Sequence, residues 1–246
     1  MKKLIEKIKM WFRQRKAAKL PVLFCIHGFG VRRTIELDPL KTYFENKGHT
    51  VITMELFDPR DEQDNDPDVW IRRAKDKLEP LIAANRCVWL VGFSMGGVIA
   101  SQLASLYPVQ RVVLLAPAFE YVTLQTVKNV AETAVRSIIN RPKQADPEVL
   151  VMPDSFALTF RSVVASCKDS VTKITQPVLF IHGSDDEVIP VRSSENAYAK
   201  VPHDQKMLLV IEGVLHRVLD DEKHNQDILH LIDDFFHGRL IRDMTD

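Results

Sequence analysis

The chain is poor in the features that mark several protein classes. Three cysteines occur in 246 residues, Cys25, Cys87 and Cys167, separated by 62 and 80 positions. Neither a disulfide framework, a redox pair nor a metal-ligand spacing can be built from them. Cys25 and Cys87 fall within apolar runs, where a thiol behaves as a small hydrophobe, so the set reads as reduced, buried thiols. No stretch has the roughly 18 uninterrupted apolar residues of a membrane-spanning helix. The N-terminus lacks the apolar core of a secretory signal. Lys plus Arg and Asp plus Glu both number 33, and zero net charge argues against a general nucleic-acid binder. Phosphate-binding loops, dinucleotide fingerprints and zinc spacings are also missing, so neither a cofactor nor a metal is expected. The reading is a cytoplasmic protein of ordinary globular composition, 46% hydrophobic and 27% charged, forming one large domain or two small ones.

The zero charge hides an asymmetry. Residues 1–19 carry eight basic side chains and one acid, Glu6, leaving 25 basic and 32 acidic residues in the body. Within 2–18, Leu4, Ile5, Ile8, Trp11 and Phe12 recur at helical spacing among lysines and arginines. The 1–20 segment is therefore expected to be a basic amphipathic helix. It suits packing against the acidic body or a partner, and also peripheral contact with an anionic inner membrane surface. Oligomeric state is not legible.

From Pro21 onward short apolar runs alternate with helical patterns. Strands are expected at 22–26, 50–54, 87–91, 112–115, 178–181 and 207–211. Helices are expected from Asp38, as N-cap before Pro39, to Gly48, and over 68–83, 95–107, 191–200 and 222–237. Residues 58–68 hold six carboxylates and two prolines and read as a solvated loop, without the ligand order of a calcium-binding loop. Alternating elements with near-continuous apolar strands predict an α/β class: a mostly parallel sheet of about six strands, with helices on both faces. Residues 116–170 are too long for a simple connection. They read as a helical insertion, with Val127, Val130, Ala131, Ala134, Val135 and Ile138 at helical spacing and a second helix before 170. The organisation expected is a core of 21–115 and 171–246 with a cap at 116–170.

Gly92-Phe93-Ser94-Met95-Gly96 fits G-x-S-x-G between a predicted strand and a predicted helix. That context projects a serine hydroxyl above the carboxyl end of a strand, on a turn where flanking side chains would crowd it. A serine nucleophile needs a histidine base, and the base needs a carboxylate to fix its tautomer. The strand at 178–181 runs into His182-Gly183-Ser184-Asp185-Asp186-Glu187, and that at 207–211 into Glu212-Gly213-Val214-Leu215-His216. Ser94, an Asp near 186 and His216 thus all fall at carboxyl ends of strands, where parallel sheets place their sites. Oxyanion donors are expected from the Met95 N–H and from the loop His27-Gly28-Phe29-Gly30, with Phe29 N–H the candidate. His27 reads as a brace of that loop rather than as a base.

The ordered set HGFG, GFSMGG, HGSDDEVIP and a strand followed by His resembles the α/β-hydrolase fold serine hydrolases over residues 21–238. The nearest likeness is to small bacterial carboxylesterases and monoacylglycerol-lipase-like enzymes. The resemblance implies Ser94 as nucleophile, His216 as base and Asp186 as acid, three residues after Gly183 and four before Pro190, with Asp185 as fallback. It also implies Phe29 and Met95 as the oxyanion hole, a lid or cap at 116–170, and a small-molecule ester, small or lipid-like, as substrate. Leu215 departs from the small residue often found before the histidine, and the two strands that usually open this fold are not evident. Thioester or amide hydrolysis on the same scaffold, or a non-catalytic binding role, remain the alternatives.

Overall fold

The structure is a computed structural model and describes residues 20–30, 33–121 and 152–241. Six strands form one sheet: β1 (Val22–Ile26), β2 (Thr50–Met54), β3 (Val88–Phe93), β4 (Arg111–Leu115), β5 (Val178–Gly183) and β6 (Lys206–Ile211). The order is β2-β1-β3-β4-β5-β6, and every pairing is parallel. The helices are α1 (Asp38–Asn46), α2 (Pro67–Ala83), α3 (Met95–Leu106), α4 (Asp154–Cys167), α5 (Arg192–Lys200) and α6 (Asn225–Phe236).

Period-two alternation divides the strand side chains between two cores. Phe24, Ile26, Leu90, Val112, Leu114 and Phe180 face α2, α3, α4 and α5. Leu23, Cys25, Trp89, Val91, Val113 and Leu179 face α1 and α6. The four inner strands are buried throughout, while β2 and β6 at the edges are mostly half-buried. Continuous apolar runs therefore mark the inner strands, as expected where helices cover both faces.

Successive strands after β1 are added on opposite sides of it, β2 on one side and β3 on the other. The reversal creates a crevice at the carboxyl ends of β1 and β3, the usual ligand position in an open parallel sheet. α3 leaves β3 at that crevice. Nine of its twelve residues are buried, so it is a core helix, apolar nearly all round.

Several local expectations need correction. Asp38 is the first helical residue, not the cap. A 3-10 turn over Arg33–Leu37 feeds directly into α1, and Leu37 precedes the helix without a side-chain cap. Cys87 is exposed, unlike Cys25 and Cys167, because it lies just ahead of β3; its thiol donates to Gln110 Oε1 at 2.9 Å. The acidic loop is organised rather than freely solvated. Asp64 is buried, pairs with Arg73 at 2.6 Å and accepts from Asp58 N–H. Asp66 caps α2 by accepting from the N–H groups of Asp68 and Val69, with Pro67 in the first turn. α6 begins at Asn225 instead of 222, since the Asp221 carboxylate takes the N–H groups of Lys223 and His224 and holds a turn ahead of it.

Within 116–170, the stretch expected to be a cap, α4 packs against α2 and α3. Its stripe of Phe156, Phe160, Val163, Val164 and Cys167 belongs to the core on that face. The helical pattern at 127–138 lies outside the described residues, and so does the helix expected over 1–20, apart from residue 20.

Candidate active site

Ser94 sits between the last residue of β3 and the first of α3, with φ 53° and ψ −118°. Positive φ is sterically unfavourable for a residue with a side chain, so surrounding contacts must hold it. Ser94 N–H donates to Leu115 O at 2.9 Å, while Ser94 O accepts from Gly97 N–H at 3.0 Å and Ala118 N–H at 3.1 Å. The end of β4 and the residues after it thus fasten the turn on both sides. A Cβ on Gly92 would run into the Gly96 carbonyl, and one on Gly96 into the carbonyls of Ile26 and His27. Glycine at these two positions is what lets the turn close.

The loop after β1 abuts that turn. A Cβ on Gly28 would lie 3.0 Å from Ser94 Cβ, so the backbone leading to Phe29 passes directly beside the serine. Gly30, with φ 144°, takes the loop away again through a region that favours glycine. Phe29 is held by ring contacts with Phe57, Trp70 and Phe160. Met95 opens α3, where the first N–H groups have no intrahelical acceptor and the helix dipole is positive. His27 braces the loop, as expected. Its Nε2 accepts from Leu56 N–H at 2.9 Å, and its Nδ1 lies 2.6 Å from Gly28 O. These partners require a neutral ring with the proton on Nδ1. Burial accordingly pulls its pKa from 6.5 down to about 4, outweighing the hydrogen bond to Gly28.

The loops after β5 and β6 are stitched together. Asp185 N–H donates to Val214 O at 3.1 Å, and Gly213 N–H donates to Ser184 Oγ at 2.8 Å. A Cβ on Gly183 would strike the Val214 carbonyl. This brings Asp186 and His216 together, with Asp186 Oδ2 2.7 Å from His216 Nδ1. The carboxylate is fully buried and the imidazole nearly so. Asp185, the fallback, instead accepts from its neighbour's hydroxyl, Ser184 Oγ, at 2.7 Å. The other Asp186 oxygen takes Val188 N–H at 2.8 Å and Ile189 N–H at 2.7 Å. Burial alone would raise the Asp186 pKa. Hydrogen bonds from His182 and His216, with the charge on His216 and the Ile189 N–H, overcome it and hold the carboxyl well below its usual range.

His216 N–H donates to Glu187 Oε2 at 3.1 Å, and its ring lies 4.9 Å from that of Phe93, the residue before Ser94. Two polar neighbours, Glu187 and His182, were given no role by sequence. Both sit in the HGSDDEVIP stretch, but neither stands at a position that the ordered motifs single out. Among the described residues no group of three or more His, Cys, Asp or Glu is placed to hold a metal ion.

The sequence profile described as "Serine aminopeptidase, S33" matches residues 140–223. No curated protein matches the chain in sequence. Solved structures match it over most of their length. A structure from work on LipS and LipT, metagenome-derived lipolytic enzymes, aligns with a TM-score of 0.71 at 19% identity, covering 90% of this chain and 95% of that one. The monoacylglycerol lipase of Paleococcus ferrophilus gives 0.63 at 16% identity, covering 87% and 93%. The meta-cleavage product hydrolase of Pseudomonas fluorescens IP01 gives 0.67 at 21% identity, covering 91% and 93%. With its six-stranded parallel sheet, its strained serine turn after β3 and these structural relatives, the chain has the α/β-hydrolase fold.

Proposed function

We propose that this protein is a serine hydrolase that cleaves carboxylic esters of small or lipid-like substrates through an acyl-enzyme. The observation that carries the reading is the buried Asp186–His216 hydrogen bond on the same sheet edge as the strained Ser94 turn. In the mechanism Ser94 Oγ attacks the ester carbonyl while His216 Nε2 takes its proton. The N–H groups of Met95 and Phe29 receive the negative charge that develops on the carbonyl oxygen. His216 then gives the proton to the departing alcohol. A water molecule, deprotonated by the same nitrogen, attacks the acyl-enzyme and releases the acid and free Ser94. Asp186 holds Nδ1 protonated, so that Nε2 is the basic nitrogen, and stabilises the imidazolium.

The direct test is hydrolysis of p-nitrophenyl esters from acetyl to palmitoyl by wild type and Ser94→Ala. Loss of at least about a thousandfold in kcat is expected. Retention of activity in Ser94→Ala would remove the reading. The chain-length optimum would report the acyl pocket, to which the proposed cap at 116–170 contributes. The serine-aminopeptidase description of the matching profile favours a second reading, amide cleavage by the same residues. Rates on a p-nitrophenyl ester and the matched p-nitroanilide separate the two.

The basic segment 1–19 supports a further part of the proposal, peripheral binding to an anionic membrane surface. Among the described residues no helix is long and apolar enough to cross a membrane. Sedimentation with anionic liposomes should be stronger for the full chain than for one beginning at Leu20, and equal binding would remove this part.

A further inference from the structure

Asp186 serves two imidazoles. His182 Nε2 lies 3.0 Å from the same Oδ2 that faces His216, and also 3.0 Å from Ile189 O. Both neighbours are acceptors, so Nε2 must carry the proton and donate to them. The other ring nitrogen, Nδ1, is 2.6 Å from Ser194 Oγ. In the neutral ring that nitrogen accepts, so the Ser194 hydroxyl donates to it. His182, Ser194 and the Asp186 carboxylate are all fully buried. The result is a directed chain of donors, Ser194 to His182 to Asp186, ending on the same oxygen that faces His216.

Three secondary-structure elements supply the members of this hydrogen-bonded chain. His182 lies near the end of β5, on the strand face that carries Phe180 and packs against α5. Ser194 is in the first turn of α5. The residues between them pass through the turn that contributes Val188 N–H and Ile189 N–H to the other Asp186 oxygen. One strand, one turn and one helix thus converge on a single carboxylate.

Sharing an oxygen has a chemical consequence. A carboxylate oxygen offers two lone-pair directions in its plane. With one directed at His182, only one remains for His216, which restricts where that ring can sit. Donation from His182 also draws negative charge away from the oxygen that must steady His216. We propose that His182, with Ser194 behind it, is a positioning residue that orients Asp186 and tunes the charge it presents to His216. The inference rests on the proposed roles of Asp186 and His216, but its geometry does not depend on which bond the enzyme cleaves. His182 touches no substrate in this scheme and acts through the carboxylate.

Two readouts test it on the full-length chain, one of them independent of turnover. In low-field proton NMR, wild type should show hydrogen-bonded imidazole N–H resonances from His216 Nδ1 and His182 Nε2, besides that of His27 Nδ1. His182→Phe should abolish the His182 resonance, move that of His216 and leave that of His27 in place. His182→Gln, whose amide can still donate to Oδ2, should leave the His216 resonance near its wild-type position. Ser194→Ala should move it in the same sense as the phenylalanine variant, by less. In p-nitrophenyl ester hydrolysis, kcat per folded enzyme should fall about tenfold in His182→Phe with KM little changed, since one hydrogen bond to a charged group is lost. Glutamine should recover most of the loss. If His182→Phe does not fold, Ser194→Ala and His182→Gln carry both readouts. A His216 resonance and kcat unmoved in every non-donating variant that folds would overturn the inference. A moved resonance in an enzyme that hydrolyses nothing would retain the inference and overturn the hydrolase reading.

Discussion

Two buried aspartates stand at opposite edges of the sheet and are handled differently. Asp186, at the carboxyl edge, is surrounded by groups without fixed charge: two imidazoles and two backbone N–H groups. Asp233, on α6 towards the amino edge, is paired with permanent cations, Lys47 at 2.9 Å and Arg239 at 2.7 Å, with His237 beside it. In both cases burial pushes the carboxyl pKa up and the partners more than offset it, leaving the group ionised below its usual range. The partners differ in what they can do next. An imidazole held by its Nδ1–H keeps a second ring nitrogen that can accept a proton, whereas Lys and Arg only donate. One arrangement is suited to chemistry and the other only to holding α6 against α1.

The largest break in this comparison should come from Asp186→Asn. In the proposed mechanism the amide would remove the charge that stabilises the His216 imidazolium and would no longer enforce the Nδ1–H tautomer. A fall in kcat of about 10³–10⁴ is expected, with the fold retained. Asp233→Asn should leave kcat per folded enzyme within about twofold. An equal loss in the two variants, measured on the same ester, would show that the edges are not functionally distinct.

Next in size is an effect of pH on stability, carried by His27. Its folded pKa is depressed to about 4, against 6.5 for the free side chain. As pH falls through 6.5, the unfolded chain gains a proton that the folded ring refuses. The stabilisation is complete above about 6.5 and is lost progressively towards 4, amounting to about 3 kcal/mol. His49 and His203, also depressed mainly by burial, weaken the fold in the same direction. Urea midpoints at pH 7.5 and 4.5 should differ less in His27→Gln than in wild type, since glutamine carries no titrating group into the loop. An unchanged pH response would refute the assignment of this loss to His27.

Reading the sequence recovered all six strands to within about two residues because the inner strands are buried on both faces and so carry unbroken apolar runs. The serine turn was legible because only glycine can occupy Gly92 and Gly96 without collision. The pairing of Asp186 with His216 could be placed only through the order of motifs, as the two residues lie 30 positions apart. Features set by position in space were less visible. Asp64 is one carboxylate among six in its loop, and nothing local tells that Arg73, on the next helix, will bury it. His182 reads as part of a turn motif. Its role depends on Ser194 from the following helix, and no spacing rule links them. α4 has a helical pattern, but pattern alone does not say whether its apolar stripe lines a cap or enters the core between α2 and α3.

Smaller effects are expected at the amino edge. Asp233→Asn loses the attraction of Lys47 and Arg239, yet these cations are 41% and 50% exposed and solvent screens much of each interaction. About 1–2 kcal/mol of stability should be lost, read as a lower urea midpoint at pH 7. The folded pKa of this carboxyl is below its ordinary 3.8, so its contribution is present above that value and lost as pH falls further. Lys47→Ala should matter least, by about 0.5–1 kcal/mol, because Arg239 still neutralises Asp233. Lys47 also lies 4.5 Å above the Tyr43 ring, so part of its effect should survive when Asp233 is already Asn. A double-mutant cycle isolates the ion pair from that ring contact. Coupling near zero would mean that Arg239 alone sustains the Asp233 charge and that Lys47 acts mainly through Tyr43. Coupling of about 0.5 kcal/mol or more would make the cluster a cooperative clasp between α1 and α6.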